Sequence, residues 1–390
     1  MDPDFSALDD ALADAGCDGY LVDADSTNSD QYYLSGFDAP DPFVTMYDGE
    51  VHLLFSRSLE YGRAKREARA ATVQRDVDFD RAAKVEEYGR HEAAWHVLAD
   101  FLDSYDVSSV AVPPRFPVST ADGLRECGVT VTPDVDETVT KIRATKTDEE
   151  IEYVREAQRA NEAAMAAAED LLASADVVDG VLRADGEVLT SERVKEAIEV
   201  TLLRHGCALD DTIVACGSDA ADPHDKGSGP LAADEPIIVD IFPQDKATKY
   251  HADMTRTFLR GDPSDAVREW YDLTETALDA ALDVVEPGVT GEAVHDVVCD
   301  VYEDAGLPTL RSDETTETGF IHSTGHGVGL DVHELPRIGP GGEELRPGHV
   351  ITVEPGLYDP EVGGVRIEDF VVVTEDGSEN LTDYERELVL

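Results

Sequence analysis

Four acids and a run of histidines stand apart from an acidic background. Asp240 follows Ile237-Ile238-Val239 and precedes Ile241-Phe242, inside an apolar run of strand type. A carboxylate in such a run is costly to bury unless it is paired, hydrogen-bonded or bound to a metal. Asp253 in "HADMTRTF", Glu354 in "VITVEPG" and Glu368 in "GVRIEDFVVV" share that setting, so all four acids are expected at strand positions. The stretch "HSTGHGVGLDVHE" adds His322, His326 and His333 within twelve residues, interleaved with Gly325, Gly327 and Gly329. Glycines at that density let a backbone approach a bound group closely. Carboxylates with imidazole make a hard-to-borderline donor set, suited to Mn, Co, Fe or Zn. A charge count favours two ions, because two divalent cations balance four carboxylates, and such pairs sit about 3.5–4 Å apart with water or hydroxide between them.

Each of these residues also has a plainer reading. With 85 Asp and Glu in 390 residues, an Asp pair at any chosen spacing arises by chance. A single histidine is commonly a satisfied structural residue. His251 reads as a loop or strand-face residue, His205 as a helix C-terminal residue, and His295 and His349 as surface groups. The glycine pattern over 325–329 is followed by no helix pattern, so it is no phosphate loop.

The elements that must position these groups fall into two parts. Residues 5–15 read as a helix, "GYLVDAD" as a strand, and "FVTMYDGEVHLLFS" as a hairpin about Asp48-Gly49. Helical patterns near 58–70 and 84–104 and short strands at "SSVAVPP" and "VTVTP" complete an α/β domain over residues 1–140. An Ala- and Glu-rich segment then begins, with Thr147 and Glu150 spaced as a capping box for a helix reaching about residue 175. Further helices are expected over 191–204, 264–284 and 291–305. Strands are expected at "DTIVACG", "PIIVDIFP", "HADMTRTFLR", "HVITVEPGLY", "GGVRIEDFVVVTEDG" and "SENLT". Mixed strand and helix order makes residues 141–390 an α+β domain.

Composition narrows the function classes. The formal net charge is −54, with acids spread along the chain and only eight Lys beside 23 Arg. Such a surface suits a salt-rich cytoplasm that screens self-repulsion. The melting temperature should therefore rise from low to molar salt, and equal stability throughout would contradict that reading. No basic stripe exists to meet nucleic-acid phosphates. The acidic N-terminus lacks the apolar core of a signal peptide, and no run of about 18 apolar residues suggests a membrane span. Cys17, Cys127, Cys207, Cys216 and Cys299 show neither metal nor disulfide spacing and read as free thiols of a cytoplasmic protein.

The segments "IVDIFP", "HADMTRTF", "HSTGHGVGLDVHELPR", "VEPGLY" and "GGVRIEDFVVV" come in one order over roughly 150 residues. In this the chain resembles the pita-bread metallopeptidases, in the branch of Xaa-Pro dipeptidases and Xaa-Pro aminopeptidases. "IRATKTDEEIEYVREA" resembles the segment that joins a creatinase-like N-terminal domain to the catalytic domain. The resemblance implies an α/β creatinase-like domain followed by an α+β pita-bread domain. It implies two divalent metal ions per subunit, with Mn favoured over Co or Zn, held by Asp240, Asp253, His326, Glu354 and Glu368. Glu354 would also handle protons, and a hydroxide from the metal pair would attack the scissile carbonyl. His333 matches the histidine that steadies the tetrahedral intermediate, and His224 one on a loop facing the substrate. His322 and Arg366 match residues lining the site, and Arg337 an arginine placed to meet a dipeptide's carboxylate. The implied activity is hydrolysis of the bond before proline in Xaa-Pro dipeptides. The alternatives are an Xaa-Pro aminopeptidase and a non-catalytic peptide-binding relative. A homodimer is the implied assembly.

One departure matters. The family's two aspartates usually stand eleven apart, and here the step is 13. An even insertion preserves the face each Asp points to, so the extra pair is expected to lengthen a hairpin loop and leave both ligands in place.

Overall fold

The computed structural model describes residues 3–390, which divide into two compact units with the break between Arg143 and Ala144. No helix of the described residues is long and apolar enough to cross a membrane.

The first unit is built on a six-stranded mixed sheet. From one edge to the other its strands are Thr72–Arg75, Val51–Phe55, Phe43–Tyr47, Gly19–Ala24, Ser109–Val112 and Thr130–Pro133. The expected hairpin is present, with Val44 opposite Leu54 and Tyr47 opposite Val51. Gly49 in its turn has φ 105°, a backbone state that side chains rarely adopt. The helix Arg81–Asp103 puts Val97, Leu98, Phe101 and Leu102 into the core against Leu21, Met46 and Leu54 of the sheet. Short elements went unread in the sequence: helices Ser29–Ser35, Val118–Glu126 and Thr138–Ala144, and the edge strand Thr72–Arg75. None is long enough for its apolar spacing to stand out.

The second unit starts with the helix Asp148–Ala173. Thr147 Oγ1 accepts from the Glu150 amide (3.3 Å), and Glu150 Oε2 accepts from the Thr147 amide (2.7 Å), completing the expected capping box. The helix Ser191–Arg204 ends at His205, as its Gly206 neighbour suggested. These two helices cover one face of a three-stranded antiparallel sheet, Thr212–Cys216, Ile237–Ile241 and Met254–Phe258. Ile237, Val239 and Ile241 enter that core, together with Met254 and Phe258. Strand alternation sends Ile238 and Asp240 to the opposite face, where Ile238 packs with Ile213, Ala215 and Tyr358. That is why the run around Asp240 is apolar throughout: the strand is buried on both faces.

A five-stranded sheet carries most of the remaining motif segments, in the order Glu334–Ile338, Gly325–Gly327, Val350–Val353, Asp369–Thr374 and Gly377–Asn380, while Gly356–Asp359 and Gly363–Arg366 pair as a separate two-stranded sheet. Helices Asp265–Val284 and Gly291–Asp304 pack on it through Trp270, Leu278, Val294 and Val298 against Ile338, Ile351, Val353 and Val371. His295 and His349, expected at the surface, are both buried. His295 lies on the inner face of its helix, with Nδ1 2.9 Å from Thr324 Oγ1 and Nε2 3.5 Å from Cys299 Sγ. His349 Nδ1 accepts from the Arg346 amide at 3.2 Å. Both rings satisfy a nitrogen inside the protein, which a hydrophilicity reading does not reveal.

The segment between Asp240 and Asp253 folds as an appended small hairpin. Asp240 stands opposite Thr255 and Ile241 opposite Met254, so Asp240 and Asp253 fall on the same face of the ladder. Beyond the ladder the Ala252 amide donates to Pro243 O (3.0 Å) and the Asp245 amide to Tyr250 O (2.9 Å). Asp245 Oδ1 caps the turn by accepting from the amides of Ala247 (2.9 Å) and Thr248 (2.7 Å). Gln244–Asp245 also pairs with Cys207–Ala208, and Tyr250 Oη donates to Glu150 Oε1 at 2.5 Å. His251 sits in this hairpin, with Nε2 3.1 Å from the Gln244 side-chain amide.

Candidate metal centre

Of the four acids, only Asp240 lies within a strand. Asp253 stands one residue before Met254–Phe258, Glu354 one after Val350–Val353, and Glu368 one before Asp369–Thr374. The expectation of four strand positions is thus corrected by one residue in three cases. At Glu354 and Glu368 the backbone leaves its ladder and bonds across to another segment. The Glu354 amide donates to Thr324 O (2.8 Å), and the Glu368 amide to Thr255 O (3.1 Å). The second of these bonds joins the two sheets where the carboxylates converge.

Carboxylate oxygens of Asp240, Asp253 and Glu368 all lie within 4.8 Å of one another. His326 Nε2 closes the other side, 3.5 Å from Glu354 Oε1 and 3.9 Å from Asp253 Oδ2. Its ring is oriented from behind: Nδ1–H donates to Gly327 O at 3.1 Å, which leaves the Nε2 lone pair facing the acids. The His326 amide donates to Thr352 Oγ1 (3.0 Å), and Thr352 Oγ1 in turn donates to Glu354 Oε1 at 3.4 Å. Thr255 Oγ1 donates to Glu368 Oε2 at 2.8 Å. Gly325 and Gly327 let this strand lie close to its neighbours. A Cβ at Gly325 would stand 2.2 Å from Thr352 O, and one at Gly327 2.0 Å from Leu335 O.

Arg366 is the cation inside the centre. Its Nη2 donates to Asp240 Oδ2 (2.6 Å), its Nη1 to Tyr358 Oη (2.9 Å) and its Nε to Thr255 Oγ1 (3.2 Å). Tyr358 Oη then lies 3.0 Å from His322 Nε2, and His322 Nδ1–H donates to Ser323 O at 2.6 Å. Burial, and then the charge of Arg366, push the pKa of His322 down to about 3, so it is neutral. Arg366, expected to line the site, is only 3% exposed and turned onto Asp240. Its contacts there are with the carboxylate, with the hydroxyls of Tyr358 and Thr255, and with Pro223 O.

Three other expected residues stand around the rim. His333 packs edge-on against His326 with ring centroids 4.2 Å apart. Arg337 is exposed and stands directly opposite His326 in the ladder. His224 is exposed on its loop, next to Pro223, whose carbonyl accepts from Arg366 Nη1 at 3.5 Å. Thr255, Thr352 and Tyr358 escaped the sequence reading. Their only signal is their place inside the motif segments, since a threonine in a strand carries no mark of its partner.

The donors fit divalent cations. Asp240 Oδ1 and Glu368 Oε1 are buried without a hydrogen-bond partner, and an unpaired buried carboxylate oxygen is expensive. Burial, and then the neighbouring carboxylates, push Asp253 and Glu368 well above the ordinary carboxylate range. Burial chiefly pushes Glu354 to about 8. His326 falls to about 3, by burial and then the charge of His333, which keeps Nε2 unprotonated. Without ions, the centre therefore holds protons that metal must displace.

A measurable consequence follows from the sign of these shifts. A carboxyl with a raised folded-state pKa favours folding below its unfolded pKa, and that contribution is lost as pH rises through the folded value. Metal-free protein should thus lose stability between about pH 4 and the Glu354 value of about 8. At pH 7, adding metal should release protons. Calorimetry in two buffers of different ionisation heat reads this directly, and equal heats in both would contradict it.

The chain's relatives agree with this geometry. The profile of metallopeptidase family M24 matches residues 152–375, and that of the creatinase/prolidase N-terminal domain matches residues 5–145. The chain belongs to metallopeptidase family M24, which implies divalent metal ions at this centre. It is 29% identical over 364 residues to the Xaa-Pro dipeptidase of Pyrococcus furiosus, covering 92% of each chain. The crystal structure of the prolidase from Pyrococcus horikoshii superposes with a TM-score of 0.79 at 26% identity, covering 98% of both chains. The X-Pro aminopeptidase of Thermotoga maritima gives 0.78 at 26% identity, over 96% of this chain and 98% of that one. The fold is therefore a creatinase-like α/β domain followed by a pita-bread α+β domain, as the motif segments implied.

Proposed function

We propose that this metallopeptidase hydrolyses the bond before proline in Xaa-Pro dipeptides, using two divalent ions held by Asp240, Asp253, His326, Glu354 and Glu368. The observation that carries the reading is the convergence of these donors, with two orphaned carboxylate oxygens, in a chain similar along its length to Xaa-Pro dipeptidases. Four carboxylates and the Arg366 guanidinium leave a net charge that a single divalent ion does not neutralise. Mn is the proposed metal, with Co and Zn as substitutes that the same donor set accepts.

When bound, such a pair supplies Lewis acidity and an activated water. Glu354 would accept the proton released during the attack and pass it to the leaving proline nitrogen. His333, beside His326 at the rim, donates to the oxygen that gains charge as the carbonyl becomes tetrahedral. His224 faces the substrate from its loop. The Arg366–Tyr358–His322 chain fixes the wall of the site on the Asp240 side and keeps His322 neutral. Arg337 pairs with the dipeptide's terminal carboxylate through its guanidinium fork.

Arg337 favours a dipeptidase, whereas the likeness to an X-Pro aminopeptidase keeps longer peptides as the second reading. Rates on an Ala-Pro dipeptide and on Ala-Pro-initiated longer peptides, each with Mn, Co and Zn, separate the two. Hydrolysis of longer peptides with none of the dipeptide would reverse the order. Arg337→Ala should raise KM for the dipeptide while kcat changes little, and an unchanged KM would remove Arg337 from substrate binding. We also propose a homodimeric cytoplasmic enzyme, which a monomeric mass at working salt would refute.

A further inference from the structure

Arg256 is the largest fully buried side chain, 1% exposed, and it lies behind the metal centre. It stands between Thr255 and Thr257 on the strand Met254–Phe258, so alternation points it away from the face that carries Asp253 and Thr255. A guanidinium has five N–H donors in a fixed fork. All five are used here. Nε donates to Glu385 O (3.2 Å), and Nη1 to Thr255 O (3.0 Å) and Glu368 O (2.6 Å). Nη2 donates to Asp369 Oδ1 (2.9 Å) and Tyr384 O (3.0 Å).

Glu368 is thereby held on three sides by one strand. Its amide donates to Thr255 O, its carbonyl accepts from Arg256, and its carboxylate accepts from Thr255 Oγ1. Asp369, the next residue, is saturated as well. Beyond Arg256 it accepts from Arg386 Nη2 (2.5 Å) and Asn380 Nδ2 (2.8 Å). The segment 380–386 thus supplies two side chains and two carbonyls to an ion array buried directly behind Glu368.

We propose that Arg256, locked by Asp369 and by the segment 380–386, is a positioning residue that sets where Glu368 stands and so tunes how tightly the centre holds its ions. The inference rests on reading Glu368 as a metal ligand. The fork explains why arginine is needed. Lysine offers three donors from one point and cannot span carbonyls on three separate segments. Outer partners of metal ligands are worth roughly 10–100-fold in affinity when lost.

The test uses the full chain, stripped of metal and titrated with Mn²⁺ by calorimetry. Arg256→Lys should weaken Mn²⁺ binding at the centre by about 10–100-fold. Its kcat should be restored by excess Mn²⁺, with KM for the dipeptide unchanged. Asp369→Asn, which keeps shape and one acceptor oxygen, should show the same pattern in smaller degree, and it decides the matter if Arg256→Lys does not fold. A purely structural role would lower the folded fraction and leave the Mn²⁺ affinity of the folded protein unchanged. That result would overturn the inference. Glu368→Gln separates the two levels. If it binds Mn²⁺ as tightly as the parent, the ligand reading itself fails. If it loses an ion while both other variants bind normally, only the inference about Arg256 fails.

Discussion

Asp253→Asn should lower kcat/KM by about 1000-fold or more, equivalent to about 4 kcal/mol of transition-state stabilisation, and excess metal should not restore it. Asp253 is the acid that touches both halves of the centre. Its carboxylate lies with those of Asp240 and Glu368, and Oδ2 is 3.9 Å from His326 Nε2. Asparagine keeps the volume but removes the charge and one acceptor. The fold should survive the change. Burial and neighbouring charges already push the Asp253 carboxyl towards its neutral form when no metal is bound, and asparagine resembles that form. The metal-free variant should therefore melt no lower than the metal-free parent, while the stabilisation gained on adding Mn²⁺ disappears. A variant that still melts higher with Mn²⁺, in step with the parent, would show that Asp253 is not a ligand. Removing Ala247 and Thr248 provides the paired control. Those residues lie in the turn capped by Asp245, outside the ladder that sets the faces of Asp240 and Asp253. Their loss should leave two ions per chain.

Arg366→Met should carry the largest cost in stability. The guanidinium is 3% exposed and holds Asp240, Tyr358 and Thr255 at once. Removing one partner of a buried pair leaves the other charge uncompensated, at about 3–5 kcal/mol. Bound ions should recover part of that loss, because they place positive charge against the same carboxylates. Arg366→Lys should not recover it, since a point charge cannot meet three acceptors in different directions. Urea unfolding of metal-free and metal-loaded protein measures both terms. A loss below about 1 kcal/mol in the metal-free protein, the scale of an exposed ion pair, would contradict the role given to Arg366.

Much of this was legible in the residues because parity and burial leave marks in a sequence. The even, two-residue insertion between Asp240 and Asp253 predicted two acids kept on one face, and the register of Asp240 with Thr255 has them there. The apolar run about Asp240 predicted a buried strand, and all five of its residues are buried. The spacing of Thr147 and Glu150 gave the helix start to the residue. Other features left no such mark. Glu354 and Glu368 stand just outside their strands because their amides bond across to Thr324 and Thr255, and long-range partners are invisible to local pattern. His295 and His349 are buried because Thr324, Cys299 and the Arg346 amide satisfy them. Arg256 reads as an ordinary charged strand residue, and four of its five acceptors lie more than a hundred residues further along the chain.

Anomalous diffraction from crystals grown with Mn²⁺ tests the metal centre most directly. Two Mn peaks per chain are expected, among Asp240, Asp253, His326, Glu354 and Glu368. A single ion, or ions placed away from these five side chains while the enzyme still cleaves an Xaa-Pro dipeptide, would contradict it.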